Sequence, residues 1–338
     1  MKSDLQWMQA QVVALRDVTP TVREFELRPR REGEGEGEGE GGLAGAYEPG
    51  AHLQVQVMTA QGRLQTRSYS LVGEGDGRCW RIAVKRLDDG RGGSLAMWRL
   101  AVGDRLQVSA PQNHFGLDLS APGYLLVAGG IGITPLVLMA QRLAAHARRT
   151  GVPVKMLYGA RNAEEFGYLA HLRDALGEGV SAHEGSAPID FAAAIAALPA
   201  GGQLYTCGPV PMLEAVKRAW HAAGRPIADL RFETFGSSGR LATQSFQVCI
   251  PRHDLTLTVP ADCTLLEALD AAGVQTLWDC KRGECGLCAM DVIAVDGEID
   301  HRDVFLSEHE KQSTTRICAC VSRAVGTLTL DSAYRADS

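Results

Sequence analysis

The chain has 338 residues, 45% of them hydrophobic and 22% charged, with a net charge of −6. That is room for two or three domains, each with its own core, in the proportions of an ordinary globular protein. The whole net charge lies in residues 237–338, with 15 Asp plus Glu against 9 Lys plus Arg, while residues 1–236 hold 25 of each; nucleic-acid binding is therefore disfavoured.

The N-terminus, MKSDLQWMQAQ, has no basic start followed by an apolar core, so no secretory signal is expected. The nine cysteines then read as reduced cytoplasmic thiols and not as a disulfide framework. Up to about residue 113, the stretches QVVALRDV, TVREFELRP, HLQVQVM, TRSYSLV, WRIAVKRL and DRLQVSAP alternate apolar and polar residues between Gly and Asp turns, which predicts an antiparallel β-barrel. Within it, REGEGEGEGEGG carries Glu32, Glu34, Glu36, Glu38 and Glu40 and nothing apolar to bury. Residues 31–42 are expected as a disordered acidic loop, a tolerated surface insertion.

Past Gly123 the pattern changes. YLLVAGG, VKMLYGAR and QLYTCGP read as buried strands, and PLVLMAQRLAAHA, EEFGYLAHLRDAL, FAAAIAAL and PMLEAVKRAWHAAG as helices. Strands alternating with helices predict a parallel sheet covered on both faces, with ligands beyond the carboxyl ends of its strands. The longest apolar run, YLLVAGGIGITPLVLMA, is broken by Gly and Pro, so no membrane span is expected. The segment closes at RFETFG, a polar linker follows over 237–246, and the last segment opens with a hairpin, FQVCIPRHDLTLTVP, and a helix, TLLEALDAAG.

The strongest single signal is DCKRGECGLCAM, which spaces Cys280, Cys285 and Cys288 as C-x4-C-x2-C, with Cys318 and Cys320 downstream in RICACVSRA. Three thiolates in one loop and a fourth from a later element hold a plant-type [2Fe–2S] cluster. Gly283 and Gly286 lie between the ligands, where the backbone must turn sharply. Structural zinc more often shows paired C-x2-C knuckles, and only one such pair is present. A chain with this cluster moves single electrons, and the acidity of its segment leaves a face for a protein partner, although solubility alone also explains such acidity.

Other constellations are weaker singly. VAGGIGITP sets Gly129, Gly130 and Gly132 between a buried strand and a helix opening at Pro135, suited either to a pyrophosphate or to a packed turn. TCGP puts Cys207, Gly208 and Pro209 at a strand end, where Cys207 and Thr134 share a crevice unless Cys207 is simply core. RSYS places Arg67 and Tyr69 on one strand face and Ser68 and Ser70 on the other, and GRGGS (Gly90 to Ser94) is a second candidate phosphate loop.

Taken in order, RSYS, AVKR, GRGGS, AGGIGITP, TCGP, FETF and C-x4-C-x2-C with CVSRA resemble the phthalate dioxygenase reductase family, which includes vanillate demethylase reductases. The resemblance spans nearly the full length. It implies an FMN-binding barrel over 1–113, an NAD-binding α/β domain over 114–236 and an α+β plant-type ferredoxin (β-grasp) domain over 247–338. Carried across by position, Arg67 binds the FMN phosphate with Gly92, Gly93 and Ser94; Ser68 on the same strand is also a cofactor-binding residue, Tyr69 packs on the isoalloxazine, Ser70 lies near N5 and Lys85 lies by the flavin. Gly130, Gly132, Thr134 and Pro135 cradle the nucleotide, Cys207, with Gly208 and Pro209, flanks the nicotinamide, Phe235 lies near the flavin and Glu184 favours NADH over NADPH through the ribose. Ser70, Thr134, Cys207 and Phe235 are thereby placed at the reacting centre. Cys280, Cys285, Cys288 and Cys320 are the expected metal ligands, Cys320 being preferred because it precedes VSR, although in an extended stretch Cys318 shares its face. Cys249 and Cys263 are expected in a core and Cys79 on the barrel, and His52, His114 and His183 as structural residues. The implied activity is that of a monomeric, cytoplasmic NADH-dependent reductase passing single electrons to a Rieske-type oxygenase that docks on the acidic ferredoxin domain. Alternatives are a reductase for a cytochrome P450 or another acceptor, and a redox sensor without turnover.

Overall fold

The structure is a computed structural model that describes residues 6–30, 46–75, 77–185, 188–235 and 241–331. The Glu/Gly tract lies outside the described residues, as do residues 237–240 of the expected linker. Two compact units emerge, one of residues 1–88 with 92–233, the other of 89–91 with 234–338.

In the first unit, β1 (Trp7–Thr19), β2 (Val22–Arg30), β3 (Ala51–Met58), β4 (Leu64–Ser70), β5 (Trp80–Lys85) and β6 (Arg105–Ser109) pair antiparallel in the order β4-β3-β6-β1-β2-β5, and a short β7 (Gln112–Asn113) lies against β3. A single bridge between Leu71 and Ile82 joins the end of β4 to β5 and so closes the predicted barrel at that point. Period-two alternation buries Phe25 and Leu27 on β2, Leu53, Val55 and Val57 on β3 and Ile82 and Val84 on β5. Helix α1 (Gly93–Trp98) adds Ala96 and Met97 to that core.

The same unit holds a parallel sheet of β8 (Tyr124–Gly129), β9 (Val154–Ala160), β10 (Val180–Glu184), β11 (Gln203–Cys207) and β12 (Leu230–Glu233), in the order β10-β9-β8-β11-β12. Every residue of β8 and β11 is buried, as central strands require when both faces are covered. Helices α2 (Thr134–Thr150) and α3 (Leu169–Leu176) cover one face, and α4 (Phe191–Ala196) and α5 (Val210–Ala222) the other. Strand order reverses between β8 and β11, which creates a switch-point crevice at their carboxyl ends. Barrel and sheet share one core, in which Val22, Val72 and Ala83 of the barrel pack with Ile133, Val137 and Tyr168.

The helix expected over EEFGYLAHLRDAL is shorter. Asn162 caps a 3-10 turn at Ala163–Glu165, accepting the Glu165 N–H at 3.1 Å, and Tyr168 sits at φ 62°, so α3 starts only at Leu169. A left-handed residue breaks the helical run, and Asn at the cap starts a separate turn.

The second unit is a mixed sheet of β13 (Phe246–Ile250), β14 (Leu255–Val259), β15 (Ala289–Asp300), β16 (Arg316–Cys318) and β17 (Arg323–Asp331), ordered β14-β13-β17-β15-β16 with only β13 and β17 parallel. The expected hairpin is β13–β14. The expected helix is α6 (Leu265–Ala271), opened by a capping box of Thr264 and Glu267; α7 (Glu308–Ser313) has the same device in Ser307 and Glu310. Leu265 and Leu269 pack on Val248, Ile250, Leu328 and Leu330. Between α6 and β15 the cysteine segment runs without helix or strand. Cys79 is buried, while Cys249 and Cys263, expected in a core, are only partly buried. Among the described residues no helix is long and apolar enough to cross a membrane.

Candidate functional site

The cysteine loop folds around its glycines. Gly283 has φ 76°, and a Cβ there would stand 2.6 Å from Val321 Cγ2 and 2.9 Å from the Asp303 Cα. Gly286 has φ 74°, and its Cβ would lie 2.2 Å from the Phe305 ring. A side chain at Gly283 would run into backbone, whereas one at Gly286 would have to displace the Phe305 ring and hold a left-handed φ. The sulfurs fall into two sets: Cys280 meets the Cys285 thiol, and Cys288 meets those of Cys318 and Cys320. Cys280 Sγ accepts backbone N–H groups from Arg282 at 3.4 Å and Cys285 at 3.5 Å. Thiol hydrogen bonds from Cys318 and Cys320 draw Cys288 down to about 3 against the effect of burial, while the same contacts, with burial, push Cys318 and Cys320 up. Among the described residues no three or more His, Cys, Asp or Glu side chains converge on a single ion. Two adjoining sulfur sets with backbone donors aimed at them fit a two-iron cluster held by thiolates.

Cys318 and Cys320 do not share an extended stretch. Strand β16 ends at Cys318, whose carbonyl accepts the N–H groups of Val321 and Ser322 at 3.3 and 3.0 Å, so Ala319 and Cys320 form a turn. Alternation along a strand therefore does not relate the two thiols. The Ala319 N–H binds the Cys288 carbonyl at 3.0 Å, and the Gly283 N–H reaches the Cys320 thiol. Cys318 instead feels the Asp303 carboxylate.

Sequence reasoning missed the groups that brace this loop. Asp303 is fully buried and accepts from Ser322 Oγ and the Leu306 N–H, each at 2.9 Å, with the His301 Nδ1 at 3.6 Å. Thr234 donates its hydroxyl to the Arg282 carbonyl at 2.8 Å and its N–H to Glu284, whose carboxylate also meets Arg282 at 3.4 Å. The FETF motif contained Thr234, but nothing local marked its partner.

At the switch point, Gly130 (φ 53°) to Ile133 form a 3-10 turn before α2, with Thr134 and Pro135 opening the helix as expected. The glycines here interlock the two strand-end loops. A Cβ on Gly132 would stand 2.2 Å from the Cys207 carbonyl oxygen, and one on Gly208 would stand 2.4 Å from Met212 Cε. Gly129 meets Pro209 Cδ in the same way, at 2.6 Å. Gly130 alone has open space beside it. Thr134 is buried and donates its hydroxyl to the Ile131 carbonyl at 3.0 Å, and Cys207 is buried on the neighbouring strand. Glu184 ends the edge strand β10, exposed at the carboxyl side of the sheet.

On the barrel, Arg67, Ser68, Tyr69 and Ser70 pair across β3 with Val55, Gln54, Leu53 and His52. Burial pushes the Tyr69 phenol up to about 12 despite the nearby Arg67 charge. A Cβ on Gly93 would lie 2.9 Å from Arg67 Nε, so the glycine leaves the guanidinium room beside the α1 turn. Gly92 takes φ 83° to begin that turn. Ser94 Oγ accepts the Leu87 N–H at 3.1 Å and so closes its own loop. An arginine beside a Cβ-free turn fits a phosphate. Phe235 is half-buried just past β12.

Lys85 is ion-paired. Its Nζ meets Glu165 at 2.9 Å, and Thr21 Oγ donates to the same carboxylate at 2.7 and 2.8 Å. Burial alone would raise the Glu165 pKa, but these bonds and the Lys85 and Arg161 charges hold it below the ordinary carboxylate value of 4.5. A depressed folded pKa contributes stability above the unfolded pKa, and that contribution is lost as pH falls through the folded one. Glu165→Gln is thus expected to flatten the fall of the thermal midpoint between about pH 5 and pH 3. A variant with the full wild-type slope there would place the acid sensitivity in other carboxylates.

Residues 250–325 match the 2Fe-2S iron-sulfur cluster binding domain family. Over 300 residues, 86% of this chain and 89% of the other, the sequence is 40% identical to the phenoxybenzoate dioxygenase subunit beta of Ectopseudomonas oleovorans. It is 33% identical to the heme-dependent oxidative N-demethylase beta subunit of Ectopseudomonas mendocina, over 94% of this chain and 96% of that one. The solved structure of phthalate dioxygenase reductase, described as a modular structure for electron transfer from pyridine nucleotides to [2Fe-2S], superposes with a TM-score of 0.73 at 30% identity, covering 96% of this chain and 98% of that chain. The likeness runs through all three sheets and extends well beyond the cysteine loop: the chain belongs to the phthalate dioxygenase reductase family.

Proposed function

We propose that this chain is the NADH-dependent reductase component of a Rieske-type oxygenase system. The observation that carries the reading is the cysteine loop, whose two sulfur sets suit a one-electron cluster, on the same chain as a switch-point crevice suited to a dinucleotide. A bound FMN would supply the chemistry that converts a hydride from NADH into single electrons, and the protein supplies placement and electrostatics. Arg67, with Gly92 and Gly93, holds the FMN phosphate; Ser68 and Ser94 support the strand and loop beside it, and Tyr69 and Ser70 line the ring. Gly130, Thr134 and Pro135 present backbone to the nucleotide, while Gly132, Gly208 and Pro209 hold the two crevice loops together with Cys207 between them. Glu184 accepts from the ribose 2′-OH, which an added phosphate would repel. Lys85, held by Glu165, lies by the flavin. Cys280, Cys285, Cys288 and Cys320 would hold the cluster, which would supply one-electron transfer.

The relatives named as dioxygenase components favour an oxygenase as the acceptor, docking in the cytoplasm on the acidic second unit. The relative named for a haem-dependent demethylase favours a second reading, in which a haem protein receives the electrons. Reconstitution decides. Loaded protein is expected to oxidise NADH steadily with ferricyanide or cytochrome c and to drive product formation by a purified Rieske-type oxygenase. Turnover only with haem oxygenases would transfer the assignment to the second reading, and no steady NADH oxidation at all would leave a sensor.

A further inference from the structure

Two carboxylates cross between the barrel and the parallel sheet of the first unit in opposite directions. Glu165, on the loop after β9, takes hydrogen bonds from Thr21 in the β1–β2 turn and from Lys85 at the end of β5. Glu24, on β2 and only 8% exposed, takes one from the Tyr168 hydroxyl at 2.8 Å while Arg16 neutralises it at 3.0 Å. Both crossings use the same short loop, Asn162–Tyr168. We propose that this loop is a latch, with Glu165 and Tyr168 as positioning residues that fix the nucleotide crevice against the flavin barrel for hydride transfer. The proposal rests on the reductase reading above.

Three features point that way. First, the latch loop leaves the carboxyl end of β9, beside the turn at Gly130–Ile133, and is tied to it: the Tyr158 hydroxyl reaches the Gly130 carbonyl at 3.3 Å, and the Tyr158 ring meets Phe166 edge-on at 5.1 Å. Its barrel partners adjoin the other candidate site, since β5 is bridged to the end of the Arg67–Ser70 strand through Leu71 and Ile82. Second, Tyr168 is held at φ 62°, a conformation that a bulky residue keeps only where its surroundings enforce it. Third, the seam already has an apolar core of Val22, Ala83, Ile133 and Val137, which supplies attraction without direction. Charged hydrogen bonds at its rim add direction, and so set an angle. Hydride transfer needs reacting atoms about 3–3.5 Å apart, and an error of 1 Å is worth roughly 100-fold in rate.

The test uses the full chain loaded with flavin and cluster. In Glu165→Gln and Tyr168→Phe, anaerobic flavin reduction by NADH is expected to slow by about 10- to 100-fold. The KM for NADH should stay within about twofold, because the crevice itself is intact. Flavin content and the rate of cytochrome c reduction from prereduced protein are expected to match wild type. Thr21→Ser, which keeps the hydroxyl, should reduce normally, and Thr21→Val should slow. Amide exchange is expected to quicken in both the β1–β2 turn and residues 162–168, a readout that needs no turnover. Folded, loaded variants with wild-type reduction rates and unchanged exchange would overturn the latch. If the Glu165 and Tyr168 variants lose flavin, Thr21→Val decides alone by the same two readouts. Wild-type protein that NADH does not reduce would sink the reductase reading instead, while exchange still reports on the latch.

Discussion

Cys320→Ala is expected to remove the iron–sulfur absorbance and electron-paramagnetic signal entirely and to bring cytochrome c reduction to background, while two-electron dyes are still reduced by NADH. Cys318→Ala should keep the cluster. The argument is geometric. Strand β16 ends at Cys318, and the turn that follows brings Cys320 within reach of the Gly283 N–H, which belongs to the loop carrying Cys280 and Cys285. A thiolate that shares a backbone donor with the loop is placed to close a cluster held by that loop. Cys318 is fully buried at a strand end and faces the Asp303 carboxylate, a poor setting for another negative sulfur. Stoichiometric iron in Cys320→Ala together with its loss from Cys318→Ala would reverse the assignment. Loss of dye reduction in either, with flavin still bound, would contradict separate entry and exit of electrons.

The second large effect belongs to Gly132→Ala. Its Cβ would stand 2.2 Å from the Cys207 oxygen, 2.5 Å from the Cys207 carbonyl carbon and 2.7 Å from the Gly208 nitrogen. All three are backbone atoms, so no rotamer change relieves the overlap. The cost should reach the upper end of the roughly 1–3 kcal/mol typical of over-packing, or exceed it. In a domain of this size that lowers the thermal midpoint by roughly 5 °C or more, and NADH-dependent flavin reduction should fall with it as the crevice loops separate. Gly130→Ala is the control: its Cβ meets nothing within 4 Å, and only φ 53° opposes it. That strain costs about 1 kcal/mol. Equal midpoints for the two variants would mean that the Gly132 loop is free to move away from β11.

The difference between these glycines marks where sequence reading stops. Spacing and periodicity are local, so the barrel strands, the parallel sheet and the cysteine loop were all legible from runs of about ten residues. The reason for a glycine often is not. Sequence alone leaves Gly132 as a phosphate contact or a packed turn, and only its distance to Cys207 shows the packing. The latch was hidden more deeply. Thr21 and Glu165 are 144 residues apart, and EEFGY looked like the first turn of a helix. Gly167 was the one local sign that the helix starts later. In a strand Cys318 and Cys320 share a face, so only the position of Cys320 before VSR favours it; the two become distinct in space once β16 ends between them.

The Thr234 bonds to Arg282 and Glu284 bear on how such chains exchange parts during evolution. Judged by its matched family, the electron-carrying module begins near residue 250, yet the residue steadying its metal-binding loop comes 16 positions earlier. A recombination point inside the intervening polar stretch would transmit the thiolates without their brace. A crossover before Thr234 would carry both, so viable fusions of this module to other partners should begin at the end of β12, upstream of the boundary that sequence comparison draws.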